Sequence, residues 1–174
     1  MAAIDSLVQD FLAQKHIAVA GVSAKRDDLP ANGIVRLLRS RGYQVYAVSP
    51  HCTELDGEPC YPTIQAIPVV PDGVIVVTQP AVTMEIVQQC VDAGVTRVWM
   101  HDMRGTLPKF AKESGEKITS VSAEAVQLCR DNGIAVIPGS CPRQFIGDFG
   151  HKCMCWTLRL FGALEVPVRE SKAV

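Results

Sequence analysis

The chain has 174 residues, 48% of them hydrophobic and 20% charged, the composition of one compact domain with a real core. Seventeen basic and eighteen acidic residues leave a formal charge of -1, so no basic excess points to nucleic acid and no charge run reads as a tail. No apolar run is long enough to span a membrane. Met1 to Lys15 also lacks the basic start and long apolar centre of a secretion signal, so a cytoplasmic protein is expected.

Along the chain, Met1 to Lys15 reads as an amphipathic helix with Ile4, Leu7, Val8, Phe11 and Leu12 on one face. His16 to Lys25 follows as H-I-A-V-A-G-V-S-A-K. A short apolar strand there ends at Gly21, a small polar turn comes next, and a helix begins. Ala31 to Arg41 carries Ile34, Val35, Leu37 and Leu38 at helical spacing, and Gly42 stops it. Tyr43 to Val48 is the second strand, closed by Ser49-Pro50. That completes a βαβ unit of roughly thirty residues, with a right-handed crossover expected.

From His51 to Pro71 four prolines and the Asp56-Gly57 turn predict loop, with a short helical turn around Ile64 to Ile67. Gly73 to Thr78 is a continuous apolar strand, as expected where both sheet faces are covered. Gln79-Pro80 opens a helix over Ala81 to Ala93, with Val82, Ile86, Val87, Cys90 and Val91 inward and Gly94 as its stop. Arg97 to Met100 is the fourth strand, with His101-Asp102 at its exit. Thr106 to Lys117 reads as a polar surface excursion. Ser122 caps a helix running to Asn132, and Ile134 to Ile137 is the fifth strand. Cys153 to Leu164 reads as a last amphipathic helix, which could pack on its own sheet or form a homodimer with a second copy.

Strands alternating with helices predict an α/β fold: an open, doubly wound parallel sheet of about five strands with helices on both faces. The expectation is one domain over 1–174, with a core at about 12–145 and a helical extension at about 146–166. In such sheets a ligand lies outside the carboxyl ends of the strands. The exits are Gly21 to Arg26, Ser49-Pro50, Thr78 to Pro80, His101-Asp102 and Ser140 to Pro142. A helix start after a glycine turn suits phosphate oxygens. The dinucleotide fingerprint G-x-G-x-x-G is not met: the run is G-V-S-A-K-R, and no acidic residue follows the second strand to hold a ribose. A standard NAD site is disfavoured. Ser23 with Lys25 and Arg26 suits a ligand bearing several phosphate groups.

The run G-V-S-A-K-R, the helix end L-R-S-R-G-Y, then Y-A-V-S-P and G-E-P-C-Y-P-T-I-Q-A-I-P resemble the stand-alone coenzyme A-binding domain proteins. These are similar to the N-terminal CoA-binding domain of the succinyl-CoA synthetase α subunit. I-V-V-T-Q-P, T-R-V-W-M-H and the last strand with Cys141 continue the likeness, over about residues 12 to 145. The resemblance implies a Rossmann-like fold with coenzyme A lying across the strand ends. Gly21, Val22, Ser23, Lys25 and Arg26 would then meet the phosphates. Ser49 and Pro50 would border the nucleotide end, and Thr78 and Pro80 the pantetheine. Ser49 stands where the family usually has asparagine, and the acidic pair Asp27-Asp28 sits beside the proposed phosphates. The synthetases carry their phosphate-bearing histidine in a following domain that is absent from this sequence. A binding or regulatory role for CoA or an acyl-CoA is therefore expected, rather than ligase activity.

His101 could be a base, a phosphate contact or a plain surface histidine. The seven cysteines are odd in number, and no disulfide framework is expected. Cys90 and Cys129 fall in apolar helical patterns as buried hydrophobes. Cys52 and Cys60 read as loop thiols. Cys141 could face the thiol end of a bound CoA. With His151, Cys153 and Cys155 it also offers zinc-type ligands, though not at a standard spacing. Two other readings stay open: an NAD(P)-type enzyme on the same scaffold, and a redox- or metal-responsive protein using that C-terminal cluster.

Overall fold

The computed structural model describes residues 2–102, 119–147 and 165–166. The predicted excursion over Thr106 to Lys117 and helix over Cys153 to Leu164 lie outside the described residues. In chain order the elements are β1 (Ala2–Ala3), α1 (Asp5–Leu12), β2 (His16–Ala20), α2 (Pro30–Ser40), β3 (Gln44–Val48), β4 (Glu54–Leu55) and β5 (Glu58–Tyr61). A 3-10 turn (Ile64–Ala66), β6 (Gly73–Val76), α3 (Pro80–Ala93) and β7 (Arg97–Met100) follow. Then come α4 (Ala123–Asp131), β8 (Ala135–Pro138), α5 (Arg143–Ile146) and β9 (Glu165–Val166).

The main sheet runs β4-β5-β3-β2-β6-β7-β8, parallel throughout except for β4 at the edge. Its six parallel strands, counted along the chain, stand in the order 3-2-1-4-5-6, that of the doubly wound Rossmann sheet. The strand order reverses between β2 and β6, so the ligand-binding crevice belongs at their carboxyl ends.

Seven strands replace the expected five. The additional pair comes from the region predicted as loop. Asp56 and Gly57 both take positive φ, 56° and 84°, and make a two-residue hairpin turn of the Asp-Gly kind. That turn sets Leu55 opposite Glu58 and Glu54 opposite Pro59. The prolines argued against a strand, but β5 pairs with β3 over only two positions near the sheet edge, where proline is tolerated.

Two apolar layers cover the sheet. On one face α1 and α2 bury Val8, Phe11, Ile34, Val35 and Leu38 against Val19, Ile75, Trp99 and Ile137. On the other, α3 and α4 bury Ile86, Val87, Cys90, Ala125 and Cys129 against Val74, Val76, Val98 and Met100. Cys90 and Cys129 are thus buried as expected. Val82 is not: it is 41% exposed. Thr83 takes the inward place, donating its hydroxyl to Ser120 O at 2.8 Å. Phe11 meets the Trp99 ring edge-on at 5.4 Å, and Phe145 of α5 packs against the same indole at 5.7 Å. The last residues of the predicted helical extension are a strand: β9 pairs antiparallel with β1. No helix among the described residues is long and apolar enough to cross a membrane.

Candidate functional site at the carboxyl edge of the sheet

Gly21 sits at the strand-order reversal. Its N–H donates to Val48 O at 3.1 Å, which ties the β2 exit to β3. Its φ is +103°, and a Cβ there would lie 2.3 Å from Val77 O. Only glycine lets β2 and β6 end side by side in this way.

The loop after Gly21 is held by Asn32, a wholly buried residue in the first turn of α2. Its Oδ1 accepts from Ser23 N–H at 3.1 Å. Its Nδ2 donates to Ser23 O at 2.8 Å and to Arg26 O at 3.0 Å. Ser23 Oγ accepts from Lys25 N–H at 3.2 Å, which leaves the hydroxyl hydrogen to donate outward. The Val22 side chain is buried in the α1/α2 layer, so only its backbone can meet a ligand.

The charges of the loop are largely spoken for. Arg26 pairs with Asp28 at 2.9 Å, both well exposed, and the guanidinium holds the Asp28 carboxyl below its usual range. Arg36 on α2 binds Asp27 and also grips Asp56 of the hairpin turn at 2.8 and 2.9 Å. Each acidic residue of the pair thus faces an arginine, and Asp27 is tied to α2. No described carboxylate forms an ion pair with Lys25, which points into solvent.

At the neighbouring exits, Ser49 is buried, its N–H donating to Tyr61 O at 2.9 Å, while Pro50 is exposed. Thr78 is half-buried beside Gly21 and shares a hydroxyl contact of 3.1 Å with Thr83. Pro80 is the first residue of α3, where its missing N–H costs nothing.

His101 and Cys141 meet across a cavity of about 220 Å³. It is lined by the Asp27 to Pro30 stretch, Gly33, His101, Cys141 and Arg143. His101 is 3% exposed, and its Nε2 has no hydrogen-bond partner among the described residues. Burial lowers its imidazole to about 4, with the charge of Asp102 pulling the other way. It is a neutral ring at physiological pH. Burial also raises the Cys141 thiol, against smaller opposing effects from the Arg143 backbone and charge. Cys141 is therefore a protonated thiol, not an activated nucleophile. Just before it, Ser140 holds φ +68°, an uncommon conformation for a residue with a Cβ. Trp99 Nε1–H lies 3.1 Å from both Gly139 O and Ser140 Oγ, and this anchors the turn.

The fold therefore lines up the predicted residues along one edge in the order Ser49, Gly21, Thr78, His101, Cys141. With strands about 4.8 Å apart, that edge is roughly 20 Å long. Gly21, Val22, Ser23, Lys25, Arg26, Ser49, Pro50, Thr78 and Pro80 do not line the His101–Cys141 cavity. Asn32, Arg36 and Arg143 were not singled out from the sequence, and Ser140 was named only as the start of a strand exit. The positive φ of Ser140 and the interior asparagine of α2 carry no pattern of their own. His151, Cys153 and Cys155 lie outside the described residues. Among the described residues no three metal-ligating side chains gather.

Comparison with known proteins identifies the family of the chain. The chain matches the CoA binding domain family over residues 15–143, and it belongs to that family. Over 129 residues it is 29% identical to an ADP-forming acetate–CoA ligase of Archaeoglobus fulgidus, a match covering 73% of this chain and 18% of that protein. This chain thus spans less than a fifth of that relative. Among solved structures, a "hypothetical protein" from Pyrococcus horikoshii OT3 is 24% identical with a TM-score of 0.68, covering 83% of this chain and 92% of that one. At that identity the likeness speaks for the fold alone. The dinucleotide-forming acetyl-coenzyme A synthetase 1 of Ca. Korarchaeum cryptofilum is 26% identical with a TM-score of 0.54, over 69% of this chain and 25% of that one.

Proposed function

We propose that this chain binds coenzyme A or an acyl-CoA along the carboxyl edge of its sheet, and that the role is binding or regulation rather than catalysis. The phosphates rest on the N–H groups of the Gly21 to Ser23 turn, with the Ser23 hydroxyl, Lys25 and Arg26 around them. The nucleotide end lies by Ser49 and Pro50. The pantetheine passes Thr78 and Pro80 toward His101 and Cys141. The observation that carries the reading is Lys25: an exposed cation with no ion-pair partner among the described residues, on a loop whose backbone Asn32 fixes and whose acidic residues are already bound by arginines. Family membership supports CoA as the ligand. The raised Cys141 thiol and the neutral His101 supply neither a ready nucleophile nor a cationic acid, which favours binding over catalysis.

Calorimetric titration with CoA, acetyl-CoA and NAD tests this. CoA or acetyl-CoA should bind, NAD should not, and Lys25→Ala should weaken binding by about tenfold, the scale of one lost charge-assisted contact. Binding of NAD with none of CoA or acetyl-CoA overturns the reading.

A further inference from the structure

Cys52 and Cys60 lie outside that site, on the two arms of the β4–β5 hairpin. Both are free, and their sulfurs stand 2.7 Å apart, the Cys60 thiol donating to Cys52. The backbone fixes each of them independently of that contact. Cys60 N–H donates to Thr53 O at 2.9 Å, and Cys60 is in register with Ala47 of β3. Cys52 N–H donates to Ser49 O at 3.4 Å, and its thiol lies 3.1 Å from Glu54 O. The Asp56-Gly57 turn closes the hairpin between them, and Arg36 holds that turn from α2. Joining the two sulfurs would order almost nothing that is not ordered already. Cys90, Cys129 and Cys141 are buried, whereas Cys60 is partly exposed and within reach of a small molecule.

We propose that Cys52 and Cys60 form a modification site: a dithiol that closes to a disulfide by exchange with a low-molecular-mass disulfide and is reopened by excess thiol. Burial and the contact with Cys52 push the Cys60 thiol up to about 12, so the exchange is slow at neutral pH and speeds up with alkalinity. The small fraction of Cys60 present as thiolate attacks one sulfur of the small disulfide. That S–S bond breaks, and one small thiol leaves with the proton. Cys52 then gives up its proton and attacks the Cys60 sulfur of the mixed disulfide, expelling the second small thiol. The protein loses two electrons and two protons, and the small disulfide gains both. The closed hairpin carries Asp56, which grips Arg36 and through it Asp27 of the ligand loop. The modification therefore lies one ion-pair relay away from the proposed CoA site, while standing independently of it.

The folded wild-type chain, incubated with oxidised glutathione, alkylated and cleaved at Glu54 or Asp56, decides the matter by mass spectrometry. Expected are linked peptides carrying Cys52 and Cys60, lighter by two hydrogens, with both thiols recovered after reduction. In Cys52→Ser, shown folded by circular dichroism, the mixed disulfide should persist on Cys60 because the resolving sulfur is gone. A mixed disulfide that persists on Cys60 in the wild-type chain overturns the proposal. So do two alkylatable thiols at 52 and 60 after an exposure that modifies a control thiol peptide.

Discussion

Asn32 is wholly buried, and its amide is spent entirely on the Ser23 to Arg26 turn. Asparagine is an indifferent helix former because its side chain competes for backbone groups. In α2 that competition is the function, since the side chain folds the preceding loop onto the helix start. Asn32→Ala should lose three hydrogen bonds and leave loop groups unpaired, a cost of about 2–3 kcal/mol in urea unfolding. CoA affinity should fall with it, although Asn32 touches no ligand in the proposed site.

His101 makes the opposite trade, being a buried imidazole with one nitrogen unpartnered among the described residues. Its folded value of about 4 lies below the usual 6.5. As pH falls, the unfolded chain therefore takes up this proton first. The resulting stability is complete above about pH 6.5 and drains away down to about pH 4, by up to about 3 kcal/mol. Asp10, Asp56 and Asp72 are held below their usual range by partners. Their contributions are lost at more acid pH than most of that window. His101→Phe keeps the volume and removes the titration. Chemical unfolding of the variant should show a flatter pH profile between those limits, and at neutral pH a stability equal to or above the parent's. An unchanged slope would show that His101 is not the group responsible.

Among the elements, β6 shows how close the packing is. Gly73 lies where a Cβ would come within 2.6 Å of the Phe11 ring, and Phe11 in turn packs edge-on against Trp99. A methyl group there must push α1 off the sheet. Gly73→Ala should cost about 1–3 kcal/mol, read as a lowered melting temperature, even though alanine suits a strand no worse than glycine. The hairpin teaches a different lesson about elements. Its turn chemistry, Asp-Gly, was visible, but two- and four-residue strands are too short for an alternating pattern to register. Their existence depends on β3 offering an edge to pair with. α3 and α4 were legible in full, apart from Val82, because their stripes repeat over several turns. The alternative of Val82 or Thr83 facing inward depends on Ser120, a residue brought in from beyond β7.

For the molecule as a whole, the chain order of apolar runs, glycine stops and proline starts is local information. It sufficed for an α/β fold with a doubly wound sheet, for the βαβ unit around Gly21 and for the list of strand exits. The resemblance of the ordered motifs to CoA-binding domains followed from the same local strings, and the family match over residues 15–143 agrees with it. Periodicity and turn preference are written in neighbouring residues, so the sequence by itself determined these. The tertiary structure alone decided which exits are neighbours, which charges are cancelled and which thiols touch. Asp27 is satisfied from α2, Asp56 is held across the hairpin, His101 loses its water beside Cys141, and Cys60 meets Cys52. Each of these rests on Coulomb, desolvation or contact terms that act over a few ångströms of space, between residues whose separation is set by parallel crossovers and a turn. The glycine of the first strand exit belongs to both accounts. Its place after an apolar run was plain in the sequence, but the Val77 carbonyl that forbids any other residue there comes from a strand more than fifty residues away.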